Sequence, residues 1–486
     1  RQTEFGTLVK GFTNNATGYH NLAAGALRPY GGTYSDRQDA TLLSGLFSAR
    51  YSIFNRYALS VSVRADGSSL VGENHTWGLF PSVSGEWDVK HEAFLRGVDA
   101  VNRLKFRIGY GESGNLAGIS AYNAVRRMVP TNVVPVNGAP VVTMSEARNY
   151  NPDLRWETRS TFNVGAEAAL WDNRLILTVA YYHAVTRDML YEYEVPVPPF
   201  VYNKLLANNG TLSNDGWELG LGASLLRTRD WGLDVNANLT VQRSRLRSLG
   251  GACLGMQLTA SRITPIGGME LGAGFHGGNN NVLYQIVGQP LGVFYLPKST
   301  GLELQPDGSR RYEIEDLDHN GRINVEDGGD RYVAGQATPK VMLGSNIAVR
   351  YKNWDLTMQI NGAFGHKIFN ATALAYMNMT SFPDYNVMRG APQQNIKDQN
   401  VTDYWLEKGD YVNVDYITLG WNVPLRSRVI QGLRLSCSVN NPWTFTAYSG
   451  LTPMINSHVV NATIGMDDKR SYPVYRTFSM GVNVQF

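Results

Sequence analysis

With 486 residues, the chain is long enough for several soluble domains or for one large barrel. Its formal net charge of +3 gives no bulk electrostatic case for a nucleic-acid partner, and none is expected. No apolar run approaches the roughly 18 residues of a membrane-crossing helix, which excludes helical spans but not a barrel, whose strands are only half apolar.

Glycine is abundant at 50 residues and aromatics reach 11%, a composition that suits strands, tight turns and interfacial aromatic girdles. Cys253 and Cys437 make neither a disulfide framework nor a zinc spacing. Cys437 shares the apolar face of Leu433, Leu435 and Val439 and reads as a small hydrophobe. The chain opens on Arg1, with neither an initiator Met nor an apolar leader. It therefore reads as a processed or partial polypeptide, whose missing signal says nothing about secretion.

Taken in order, residues 1–42 hold one strand near 5–12 and a Gly/Asn/Tyr-rich loop through Tyr34. A hairpin follows, with strand 43–51, a turn at 52–55, and a return in which Tyr57, Leu59, Val61 and Val63 alternate with Ala58, Ser60, Ser62 and Arg64. A strand over 77–87 comes next, then helical spacing in Phe94, Leu95, Val98 and Val101, then a strand over 103–110. The run Gly109-Tyr-Gly-Glu-Ser-Gly114 is a strand end rather than a phosphate loop, because no helix-forming run follows it.

After a long loop, Phe162, Val164, Ala166, Ala168 and Leu170 share one face. They turn at 171–174 into Leu175, Leu177, Val179 and Tyr181. The next hairpin repeats the design. Trp217, Leu219, Leu221, Ala223 and Leu225 go one way and Leu233, Val235, Ala237, Leu239 and Val241 return. The other face of the return carries Asp234, Asn236, Asn238, Thr240 and Gln242, which suits a hydrated lumen better than a soluble surface rich in Lys and Glu. Residues 245–337 are expected to be the longest irregular segment.

The clearest hairpin follows. Val341, Leu343, Ile347, Val349 and Tyr351 are answered by Trp354, Leu356, Met358 and Ile360 across a turn at Lys352-Asn353. The loop 364–410, strands 411–421 and 433–440 joined through Pro424 and Arg428, and a terminal strand ending on Phe486 complete the chain. The expected fold is all-β, a transmembrane antiparallel barrel wall of about 14 meander strands with alternating short turns and long loops. A large soluble β-protein is the bland alternative; repetition of the hairpin weighs against it.

Several stretches carry a family likeness: Tyr57-Ala-Leu-Ser-Val-Ser-Val-Arg-Ala-Asp-Gly-Ser-Ser69, Phe80-Pro-Ser82 through Trp87, and Leu104-Lys-Phe-Arg-Ile-Gly-Tyr-Gly111 with Gly114-Asn115. Further on come Gly288-Gln-Pro-Leu-Gly-Val-Phe-Tyr295, the segments 316–327 and 335–344, Tyr448-Ser-Gly450 and Phe486. Spread over nearly the whole chain, they resemble the C-terminal part of the starch-utilisation-type, TonB-dependent outer-membrane transporters of Bacteroidetes. The resemblance implies a barrel of about 22 strands around a plug, with this chain (1–486) supplying its C-terminal portion and lacking the plug and the N-terminal strands. It also implies a companion N-terminal fragment that contacts TonB, a SusD-like surface lipoprotein as lid, outer-membrane lipid around the wall, and an oligosaccharide or oligopeptide as cargo.

The sharpest motif is Asp316-Leu-Asp318-His-Asn320-Gly321-Arg322-Ile-Asn-Val-Glu-Asp327. Oxygen ligands at positions 1, 3 and 5, glycine at 6, the Arg322 carbonyl at 7 and a carboxylate at 12 follow a calcium-loop pattern. Asp316, Asp318, Asn320, Arg322 and Asp327 would hold a structural Ca²⁺ (or Mg²⁺). Asp327 is shorter than the usual Glu, no flanking helices are evident, and a loop held by its own Asx hydrogen bonds is the competing reading. No organic cofactor is expected. No catalytic constellation stands out, with eight scattered histidines and no nucleophile elbow, so an enzyme is not expected. The function classes left are active import, a passive or structural outer-membrane pore, and a soluble calcium-dependent adhesin.

Overall fold

The computed structural model describes residues 2–14, 22, 25–27, 32–259, 263–268, 275–277, 280–426, 429–455, 464–469 and 472–486. Most of the loop expected at 13–34 and the Arg428 end of the expected turn lie outside these residues. Thirteen described strands make one antiparallel sheet in strict meander order. They are β1 (Leu42–Ile53), β2 (Tyr57–Ser68), β3 (Trp77–Asp88), β4 (Val101–Asn115), β5 (Glu157–Leu170), β6 (Leu175–Glu194) and β7 (Lys204–Arg227). The sheet continues through β8 (Trp231–Ser248), β9 (Val341–Tyr351), β10 (Trp354–Phe364), β11 (Tyr411–Asn422), β12 (Gly432–Thr446) and β13 (Thr477–Gln485). Every strand predicted from 43 onward is present, and the stretch expected to be helical yields one short turn of helix, Ala93–Arg96.

The period of two explains the sheet's faces. Across β8 to β13, Leu233, Val349, Leu356, Leu419, Cys437 and Met480 stand side by side in one register row. One residue along, Asp234, Ala348, Thr357, Thr418, Ser438 and Ser479 form the neighbouring row on the opposite face. A one-residue slip would exchange the two faces, so the apolar row specifies the register. A cleft of about 580 Å³ is lined by Arg50, Ser60, Glu86, Arg107, Arg159 and Tyr182, which come from six of the first seven strands. The sheet therefore curls around its polar face and presents the apolar one outward. Met480 is 89% exposed and Phe478 70%, on an outer surface that water would not tolerate over this length.

Aromatic side chains gather where the strands meet the short turns. Tyr57 stacks near Trp87 at 6.4 Å, Trp231 lies 4.3 Å from Tyr351, and Trp354 stacks on Trp421 at 5.1 Å between ring centroids. A second group, Tyr181 with Trp217 at 5.1 Å, sits farther along the wall. Along β8, Trp231 pairs with Tyr351 and Val241 with Trp217, so the two aromatic levels are about ten residues apart, the reach of a tilted strand across a bilayer core. Such girdles mark the two interfaces of a membrane barrel.

At the opposite rim from the short turns, two of the long connections hold regular structure. The segment expected to be irregular at 245–337 builds a four-stranded sheet from Ile263–Gly268, Asn281–Ile286, Val293–Pro297 and Arg331–Gln336, together with the hairpins Gly250–Cys253/Met256–Thr259 and Ser299–Leu304/Arg310–Ile314. Its strands escaped notice because they lack alternation: Val293–Pro297 is buried on both faces. Loop 364–410 contributes Lys367–Asn370, which pairs with Leu406–Lys408 and with Met466–Asp467, and a helix over Ala371–Tyr376 capped by the Asn370 side chain. Phe275, Leu283, Phe294, Leu296, Phe369, Leu374 and Met466 pack these three loops into one buried core.

The outward row carries a stability consequence. Leu239→Arg, paired with Leu219 and Leu343 on the apolar face, should cost about 2–4 kcal/mol of barrel stability in lipid. Asn238→Arg, on the lumen face next door, should cost much less. Urea titration of the assembled barrel in vesicles, read by tryptophan fluorescence, checks the difference; equal costs would contradict the assignment of faces.

Candidate functional sites in the acidic loop and the lumen wall

The acidic loop follows the hairpin Ser299–Leu304/Arg310–Ile314 and leads into the strand Arg331–Gln336. Its backbone turns back at Gly321, whose φ of +79° favours glycine. Asp316 accepts from the N–H groups of Asn320 at 3.2 Å and Gly321 at 2.7 Å. Asp318 accepts from the Asn320 N–H at 3.1 Å and from its side-chain amide at 2.7 Å, and Asn320 accepts from the Arg322 N–H at 2.8 Å. The Gly321 N–H, before all other influences, holds the Asp316 carboxyl below the usual carboxylate range.

Of the residues expected around one ion, Asp316 and Asp318 come together, but Asp327 turns elsewhere. Asp327 accepts from the Tyr284 hydroxyl and lies 3.5 Å from the Arg331 guanidinium. Its place beside Asp316 and Asp318 is taken by Asp330, and one oxygen from each of these three lies within 4.8 Å of the others. Asp330 is buried, accepts from Leu317 at 2.8 Å, Asp318 at 3.4 Å and Asn324 at 2.7 Å, and so cross-ties the loop. The sequence pattern missed it because the ligand count of a twelve-residue loop ends at Asp327; the signal was a further acid immediately before the next strand.

Arg331 explains the displacement of Asp327. Its buried guanidinium donates to the carbonyls of Val325 at 2.8 Å and Tyr295 at 3.1 Å and to the Tyr284 hydroxyl at 2.7 Å. Burial, then the bond to Asp327, raises the Tyr284 hydroxyl above its ordinary pKa, which keeps the proton it donates to Asp327. A buried cation needs such a set of oxygens, and Asp327 is its counter-charge.

The lumen wall is a band of paired charges. Arg434 makes a two-pronged pair with Asp355 at 2.5 and 2.7 Å, Lys105 reaches Glu86 at 2.7 Å, and Arg103 reaches Glu167 at 2.5 Å. Between them run hydrogen-bonded polar pairs such as Thr418 with Ser438 at 2.8 Å and Asn346 with Gln359 at 3.2 Å. Such a wall wets a passage and offers hydrogen bonds along it.

Residues 2–442 match the family model described as TonB dependent receptor-like, beta-barrel. The chain belongs to that family. TonB-dependent receptor P3 of Formosa agariphila is 28% identical over 98% of this chain, and TonB-dependent receptor SusC of Bacteroides thetaiotaomicron 25% identical over 92%. The chain spans about half the length of these curated relatives, 48% and 44% respectively. Among solved structures, the RagAB peptide transporter superposes with a TM-score of 0.73 at 21% identity, over 96% of this chain and 50% of that one, which shows a shared fold. As a TonB-dependent receptor barrel, the chain resides in the outer membrane, with its apolar face in lipid.

Two loop outcomes follow for this receptor. Asp330→Ala removes the acceptor of three backbone N–H groups and should cost the loop about 2–3 kcal/mol. Asp316 has a lowered folded pKa, so its contribution is present above the ordinary carboxylate range and fades as pH falls through the folded value. Hydrogen exchange of the Gly321 amide, corrected for the intrinsic rate, should accelerate on Asp330→Ala and on acidification. Unchanged protection in both cases would refute this cross-tie.

Proposed function

We propose that this chain forms most of the wall and the outer loops of an importer that carries a nutrient oligomer, an oligosaccharide or oligopeptide, across the outer membrane with energy delivered through TonB. The observation that carries the reading is the lumen: a continuous polar face, charge-paired and hydrogen-bonded, runs along a barrel wall that meets a packed cluster of outer loops. The family membership supports it, as do relatives named TonB-dependent receptors. A plug, a TonB-contacting segment and further strands would come from an N-terminal part. The edges offered by β1 and β13, each with one partner strand among the described residues, suit such strands. The loop cluster exposes Leu304, Ile323, Phe382, Tyr385 and Met388, apolar surface suited to a SusD-like lipoprotein lid.

In the same assembly the acidic loop would take a structural Ca²⁺, with Mg²⁺ second, through Asp316, Asp318, Asn320 and the Arg322 carbonyl. Asp330 fits the remaining carboxylate position better than Asp327, because Asp327 already serves Tyr284 and Arg331. Three carboxylates so close repel one another unless a cation or hydrogen bonds compensate, and oxygen distances of about 2.3–2.6 Å would identify calcium.

Uptake decides the main reading. Bacteria carrying the whole transporter should accumulate its oligomer only when TonB is present; accumulation undiminished without TonB would make the barrel a passive pore. Calorimetry with millimolar Ca²⁺ on the assembled transporter addresses the ion. Binding at a Kd of about 10⁻⁴–10⁻³ M should vanish in Asp318→Ala and persist in Asp327→Ala. Equal heats from wild type and Asp318→Ala would leave a loop held by hydrogen bonds alone.

A further inference from the structure

A second cleft, of about 780 Å³, lies where the wall meets the loop core. It is framed by the outer end of β8, the segment 288–290, the strand Arg331–Gln336, Lys340, and residues 365–367 and 408–410. Its charge is lopsided. Arg245, Lys340, Lys367 and Lys408 line it, and the one carboxylate in the lining is Asp410, whose oxygen already accepts from the Gly365 N–H at 2.6 Å. Arg243 also lines it but stands directly across the sheet from Asp215. Among the described residues, none of the other four cations is ion-paired.

The arrangement of the cations suits an anionic ligand. Lys367 and Lys408 occupy directly opposed positions of an antiparallel pair, where like charges repel. The Lys367 stem lies against Gly335 and the Lys340 stem against Gly365, since a Cβ at either glycine would meet them at 2.8 and 3.0 Å. The glycines thus give both lysines their room. Beside them His366 is buried, 5% exposed. Gly409 presses on the His366 ring, where a Cβ would come within 2.6 Å, so the backbone holds the ring in place.

The rest of the lining shapes the ligand. No Phe, Tyr or Trp lines the cleft, so it offers no aromatic platform for a sugar ring. It does present Val333 to Gln336 of an outer sheet strand, paired only with Val293–Pro297 among the described residues. A free strand edge accepts an extended chain through main-chain hydrogen bonds.

Building on the import reading, we infer that this cleft is an anion-recognition site that selects acidic oligopeptides, docking the extended peptide along the Arg331–Gln336 edge and its carboxylates on Lys340, Lys367 and Lys408. Charge-assisted bonds to several carboxylates give the selectivity, and the strand edge gives the extended conformation. Acidic saccharides share the charge but not the main-chain donors and acceptors.

Calorimetry on the complete transporter in detergent, with hexaglutamate, hexaglutamine and hexagalacturonate as probes, tests this. Hexaglutamate should bind on the order of tenfold or more tightly than hexaglutamine, and more weakly as salt rises. Lys367→Gln with Lys408→Gln should abolish that preference without lowering the melting temperature, because the opposed like charges are removed. Lys408→Glu should weaken hexaglutamate binding further. Equal affinity for the two peptides, or a preference that survives the double substitution, overturns the site; tighter binding of hexagalacturonate overturns the choice of peptide. TonB-dependent uptake of a neutral oligomer alongside either result would sink this inference while leaving the import reading intact.

Discussion

Every backbone N–H and C=O that crosses hydrocarbon must find a partner within the protein, and this requirement organises the whole chain. Strands satisfy it by pairing with neighbours, so the wall is a single meander sheet with each strand hydrogen-bonded to the next. Pairing makes the side-chain period two, and the two solvents then sort the faces: Leu233, Val349 and Leu356 toward lipid, Asp234, Ala348 and Thr357 toward the lumen. Short turns follow at one rim because nothing has to be built there. Lys352-Asn353 closes β9 onto β10 with Lys352 at φ +50°.

Outside the bilayer the rules revert to those of a soluble protein. The loops at the other rim bury Phe275, Phe294, Leu296, Phe369 and Leu374 in a core of their own, drawn from segments separated by up to 191 positions, from Phe275 to Met466. Burial of apolar area drives this assembly. Three polar groups within it are individually served: Arg331 by carbonyls and a hydroxyl, Asn370 by Glu407 at 2.8 Å, and Asp467 by the Tyr448 hydroxyl at 2.7 Å.

That division explains what could be read from the sequence. The wall was legible because one interface imposes one period, and hairpins such as Trp217–Ala223 against Val235–Val241 repeat it, up to a bulge at Leu225. Even there the reading stopped where the membrane does. β6 and β7 run on through 182–194 and 204–216, where Tyr193, Leu205 and Ala207 turn into a loop core and alternation ends. The loop sheet was hidden because Val293–Pro297 is apolar on both faces and its partners are non-local. In the acidic loop the motif located Asp316, Asp318 and Asn320, whose hydrogen bonds are local in sequence. Its last acid, Asp327, accepts from Tyr284, a residue 43 positions distant, while Asp330 is the acid that stands beside Asp316 and Asp318.

One short strand links these features. Arg331–Gln336 begins beside Asp330, which cross-ties the acidic loop, and its own first side chain is the buried guanidinium that gathers Val325, Tyr284 and Asp327. It ends at Gly335 and Gln336, against which Lys367 and the basic cleft are built. A strand of six residues is about 20 Å long, too short to bend much between its ends. The position of the cleft's edge is therefore tied to the anchoring of Arg331, and that anchoring depends on Asp327 as counter-charge. Asp327 thus serves the strand that edges the cleft, and Asp330 cross-ties the loop.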